Sequence, residues 1–122
     1  MIKTTIRGIL NAMPVLSKLS NRELPVKVSY SIAKVIKAAN SELATYDTQR
    51  IKLCEQYGTL NDEKTEYIID ASRRSEFEAK GNELNNLAVE LAVNPIQLPD
   101  DVKLKAQEIL LIEDFIEVVS ND

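Results

Sequence analysis

The sequence predicts a mainly helical α+β fold: a long antiparallel helical hairpin, a short two-stranded antiparallel piece and a C-terminal helix. Apolar residues recur at steps of three and four over most of the chain. Three Gly and four Pro leave little material for a loop-rich or all-β fold. Extended patterns are confined to two stretches, around Tyr67 and around Pro95. With 122 residues, 44% of them hydrophobic and 28% charged, the chain has the size and composition of one globular domain, taken as residues 1–122.

In residues 5–20, Ile6, Ile9, Leu10, Met13, Leu16 and Leu19 form an apolar face, with Pro14 inside it as a kink or a restart. Asn21 and Pro25 bracket a turn. From Val26 to Tyr57 the stripe runs Val28, Ile32, Val35, Ala39, Leu43, Tyr46, Leu53 and Tyr57, and Gly58 supplies the stop. A helix of that length spans about 45 Å, more than the roughly 30 Å of a small domain, so part of it overhangs or meets another chain. Residues 58–65 read as a polar turn and Glu66 to Asp70 as a strand. A helix then starts at Ser75, which has Glu78 at capping-box spacing, or at Ser72, and uses Phe77, Leu84, Leu87, Ala88 and Leu91. Val89 to Leu98 is extended, broken by Asn94-Pro95, and pairs in this reading with Tyr67 to Ile69. After the loop at Pro99, Gln107 to Val119 forms the last helix through Ile109, Ile112, Ile116 and Val119.

Much chemistry is absent. The chain has no histidine, so the commonest general base, the histidine-paired nucleophiles and the usual zinc ligands are missing. Its single cysteine, Cys54, reads as a packed thiol. The glycines are isolated and form no phosphate loop. The acidic pairs Asp62-Glu63, Asp100-Asp101 and Glu113-Asp114 lack calcium-loop spacing and read as solvated charge. The expectation is a protein that is not an enzyme, with no catalytic residue, metal or cofactor. No apolar run is long enough to span a bilayer and no signal peptide opens the chain, which points to the cytoplasm.

Binding has more material. Residues 1–57 carry nine Lys or Arg against four acids, whereas residues 58–122 carry six against fifteen. This asymmetry suits either solvated faces or an anion site in the basic part, and the acidic total of −4 argues against direct DNA binding. Arg22 precedes the long helix, Lys27, Lys34 and Tyr30 share a face of its first turns, and Arg73-Arg74 open another helix close to Phe77. The candidate ligand-binding residues are Arg22, Lys27, Tyr30, Arg73, Arg74, Phe77 and Asn94.

The stretch Arg22-Glu23-Leu24-Pro25-Val26-Lys27-Val28-Ser29-Tyr30-Ser31-Ile32-Ala33-Lys34, preceded by the helix Ala12 to Leu19, resembles a family of small proteins of unknown function encoded by phages and prophages of Gram-positive bacteria. The likeness continues through the acidic helix from Glu76 to Leu91, the Pro-containing piece from Val93 to Leu98 and the acidic end Glu113 to Glu117. Lys105-Ala106 departs from it, since the family tends to have a Ser-type cap there. The chain also resembles the phage proteins that counter Thoeris immunity by sequestering a cyclic ADP-ribose-type signal.

The resemblance implies a helical, non-catalytic homo-oligomer, a dimer or larger, working in the cytoplasm of the infected host and binding a nucleotide-like anion. On that reading Arg22, Lys27, Arg73 and Arg74 would hold phosphates, Tyr30 or Phe77 would stack on a base, and Asn94 would read a polar edge. A virion or assembly accessory protein, and an acidic inhibitor of a host defence enzyme, are the alternative readings.

Overall fold

The computed structural model describes residues 1–119. Strand β1 (Ile2–Thr5) leads into helix α1 (Ile6–Ser20), whose first turn is capped by Thr5: its hydroxyl accepts from the Gly8 N–H at 3.0 Å. Helix α2 (Val26–Tyr57) follows, then strands β2 (Gly58–Leu60) and β3 (Tyr67–Ile69), a 3-10 turn at Ala71–Arg73 and helix α3 (Arg74–Asn85). Strands β4 (Ala88–Leu91) and β5 (Ile96–Pro99), helix α4 (Ala106–Ile112), a second 3-10 turn at Glu113–Phe115 and strand β6 (Ile116–Val119) complete the order. The α+β class therefore holds, with the long helix and a C-terminal helix in place.

Three two-stranded sheets tie distant segments together. β1 pairs antiparallel with β4, from Ile2 opposite Leu91 to Thr5 opposite Ala88. β2 and β3 form a hairpin, and β5 pairs parallel with β6, Ile96 standing opposite Ile116. Between these pairs α1 packs on the first half of α2 and on α4. Their shared core contains Ile9, Leu16, Leu19, Ile32, Val35, Ile96, Ile112 and Phe115, all closed to solvent. Lys18 Nζ meets Glu108 Oε2 at 2.8 Å, which fixes α4 against α1 from outside. Glu108 also accepts from the Lys105 N–H at 3.0 Å, so a carboxylate from inside the first turn does the capping where no serine is present.

Several sequence expectations change. α1 runs unbroken through Pro14, which stands on the exposed side, and Ala12 and Val15 fill the core where Leu10 was expected. Gly58 does end α2, but in extended conformation as the first residue of β2. A Cβ there would lie 2.5 Å from the Ile68 carbonyl oxygen, so the hairpin needs glycine for close strand approach. The expected strand at Tyr67 to Ile69 exists, but it pairs with residues 58–60 rather than with 89–98. α3 begins at Arg74 without a serine cap and ends at Asn85, so Leu87, Ala88 and Leu91 lie beyond it. The last helix stops at Ile112: Ile116 to Val119, read as its continuation, form β6 because the vacant edge of β5 offers backbone partners.

Candidate functional site

α2 starts at a proline. Pro25 occupies its N-cap position and provides no side-chain hydrogen bond, and the first turn contains no acid. The Val28 and Ser29 N–H groups donate to the Pro25 carbonyl at 2.9 and 3.0 Å. Those of Val26 and Lys27 precede the intrahelical pattern and point out of the helix end. This positive end faces the segment that leads into β5. There Ile96 and Leu98 point into the core and Gln97 points out, as alternation along a strand requires. Between helix and strand lies a cleft of about 530 Å³ lined by Lys27, Ser31, Asn94 and Gln97, with Pro25, Pro95 and Val119 among its walls and no acidic residue among the described residues.

Two further depressions flank it. In one, of about 470 Å³, Tyr30, Lys34, Lys37 and Val93 converge, and Lys34 Nζ stands 5.4 Å from the centre of the Tyr30 ring. Tyr30 is 66% exposed, so its ring is open to an incoming planar group. The other flanking cleft contains Arg22, but Glu23 and Asp101 share it. Arg22 Nη1 donates to the Lys103 carbonyl at 2.9 Å, so this guanidinium ties the loop before α4 to the start of α2.

The remaining candidates sit at the other end of α2. Arg73 Nη1 donates to the Gln56 carbonyl at 2.9 Å, and its guanidinium lies 4.3 Å from the centre of the Tyr57 ring. Phe77 meets the same ring edge-on at 6.1 Å, and the Tyr57 hydroxyl donates to Glu76 Oε1 at 3.1 Å. Burial, followed by the hydrogen bond to Glu76, raises the pKa of Tyr57 above its ordinary value, which keeps the phenol a donor. These contacts close the hairpin base and leave Arg73 and Phe77 occupied, with only Arg74 exposed. Lys27 and Gln56 are 29 residues apart on one helix, roughly 44 Å. A single nucleotide cannot reach both groups within one chain.

No family model, curated protein or solved structure compared with this chain matches it. The site is consequently defined by geometry alone. The structure gathers Lys27 and Asn94 around one cleft with Tyr30 beside it, diverts Arg22 to a structural tie, and separates Arg73, Arg74 and Phe77 from them. Ser31 and Gln97 were not singled out in the sequence. For Gln97 the signal was present, as the polar residue between two apolar ones in an extended stretch. Among the described residues no group of three or more His, Cys, Asp or Glu is placed to hold a metal ion, and no helix is long and apolar enough to cross a membrane.

Proposed function

We propose that the protein is a non-enzymatic binding protein that sequesters a nucleotide signal of the cyclic ADP-ribose type, as a phage anti-defence factor in the cytoplasm of an infected bacterium. One observation carries the binding part of this reading: the uncapped, acid-free start of α2 opens on a cleft whose one charged lining residue, among the described residues, is Lys27. Free N–H groups, the positive end of a helix and a lysine together favour a phosphate. Asn94, Gln97 and Ser31 offer polar groups for a sugar or base edge, and Tyr30 offers a stacking face within the adjoining groove. Self-association belongs to the same reading, as does the expectation that the nucleotide leaves chemically intact.

Thermal melting against a panel of cyclic ADP-ribose isomers and cyclic dinucleotides tests this. A ligand that binds only the folded chain raises the melting temperature. Lys27→Ala then weakens binding about ten- to a hundredfold, the value of a charge-assisted hydrogen bond to phosphate. Arg74→Ala leaves affinity unchanged, because Arg74 lies at the far end of α2. An unmoved melting curve across the panel rejects the reading. So does hydrolysed product that scales with protein concentration.

The acidic-inhibitor reading has its own supporting observation. Leu110 and Leu111 are exposed on α4 immediately before Glu113 and Asp114. An enzyme docked there would make Leu110→Ala and Glu113→Gln costly and leave Lys27→Ala silent.

A further inference from the structure

Among the described residues, the side of α2 opposite its buried Val28, Ile32, Val35 and Ala39 is exposed from Val26 to Ile51, and beyond that the Tyr67 hydroxyl of β3 donates to Glu55. At about 100° per residue, that side carries Val26, Tyr30, Ala33, Lys37, Ala44 and Ile51. Their steps of three, four and seven keep one direction for the whole length, and Val26, Tyr30 and Ile51 are 83%, 66% and 43% exposed. An open groove of about 660 Å³ between Ser20 at the end of α1 and Lys37, Asn40 and Ala44 of α2 runs along one edge of this side, at the middle of the helix. The helix midpoint lies beside it, at Ser41.

Charge selects the occupant. Residues 26–41 hold Lys27, Lys34 and Lys37 and no acid, a net +3. Residues 42–57 hold Arg50 and Lys52 against Glu42, Asp47 and Glu55, a net −1. Two copies lying parallel would set three lysines against three lysines and align two helix dipoles. Two copies lying antiparallel set each basic half on the partner's acidic half and oppose the dipoles. We infer that a second copy of this chain packs antiparallel along this face of α2, about a two-fold axis near Ser41. In that register Tyr30 of one copy faces Ile51 of the other, so in the dimer this ring serves the interface and the groups of the Lys27 cleft are left to hold a ligand. The small side chains at positions 40, 41 and 44 meet at the axis, where helices approach most closely. The helix length that exceeds its own domain is then used by the partner.

Site-directed cross-linking of the full chain, free of nucleotide and carrying Cys54→Ser, tests the face and the orientation together. Chains with Tyr30→Cys mixed with chains with Ile51→Cys should form a disulfide-linked dimer under mild oxidation. Tyr30→Cys alone should not, since the two copies of position 30 are separated by about 31 Å along the helix. Ser41→Arg places two new cations at the axis beside Lys37. It should weaken the dimer at least about tenfold in light scattering and leave the circular dichroism of the monomer unchanged. A wild-type chain that is monomeric at tens of micromolar overturns the inference and leaves the face to a different protein. Self-linking of Tyr30→Cys overturns the orientation, and an undisturbed Ser41→Arg dimer overturns the face. Because nucleotide is absent throughout, the outcome does not depend on what the cleft beside Lys27 holds.

Discussion

The two halves of α2 continue one apolar stripe in very different surroundings. Residues 26–39 bury Val28, Ile32, Val35 and Ala39 beneath α1, β5 and β4. Residues 40–56 bury nothing, although Leu43, Tyr46 and Leu53 keep the same spacing. The first half sits in a body with helices and strands on several sides, whereas the second, apart from Leu43 at the edge of the core, lies along α3 and the twelve-residue hairpin of β2 and β3. From residue 40 to residue 90 the one buried side chain is Tyr57. Periodicity therefore reports which way a face points, and the number of layers available decides how deeply it is covered.

Truncating side chains should separate the two regions most sharply. Phe115→Ala, in the body, should cost about 3–5 kcal/mol in urea unfolding, as expected for a fully buried aromatic ring. Leu53→Ala, on the half-buried face of the limb, should cost roughly 1 kcal/mol. Equal costs would show the limb to be as well packed as the body. Gly58→Ala comes next: its methyl group would press on the Ile68 carbonyl at the base of the hairpin, costing about 1–3 kcal/mol. Hydrogen exchange should then rise at β2, β3 and α3 and stay unchanged in β1 and β4. Tyr57→Phe removes the bond to Glu76 and should cost about 1 kcal/mol.

Smaller effects sharpen the same contrast. Gly81 lies in α3 with nothing within 4 Å of an added methyl group, so Gly81→Ala should stabilise by about 0.5–1 kcal/mol through helix propensity. The smallest effect concerns pH. The hydrogen bond from Lys18, then that from the Lys105 N–H, holds the Glu108 pKa below its ordinary value. A depressed carboxylate pKa contributes stability that is present above the unfolded-state value and is lost as pH falls through the folded-state value. Wild type should therefore exceed Glu108→Gln in melting temperature at neutral pH, with the gap closing on acidification. A gap that widens in acid would mean that the Glu108 carboxylate destabilises the fold.

How much was legible follows from the range over which each signal acts. The faces of α1 and of the first half of α2 were readable because many turns repeat one direction. β1 and β6 were not. Four residues of strand and one turn of helix present the same apolar pattern, and Ile109, Ile112, Ile116 and Val119 fit a helix by spacing alone. What decides that segment is non-local: Phe115 fills the core, and β5 leaves an edge that residues 116–119 complete. The candidate site divides in the same way. Lys27 and Asn94 were identifiable as groups suited to an anion and a base edge, and the fold brings them to one cleft. Arg73 has the same chemistry, yet a carbonyl and a tyrosine ring supplied by the end of α2 engage it, a fact no local pattern encodes.

The pairing of β1 with β4 and of β5 with β6 also sets the order in which the chain assembles. Ile2 must wait for Leu91, and Ile96 for Ile116, so the body closes only after loops of about 90 and about 20 residues have lost their freedom. α2 depends on contacts within a few residues and can wind in about a microsecond or less. The direction in which Tyr30 and Ile51 point is therefore set by local winding, while the persistence of the helix depends on the core that these long-range pairings finish. Refolding followed by far-ultraviolet dichroism and by exchange protection at β1 should proceed at a rate set by these long-range pairings.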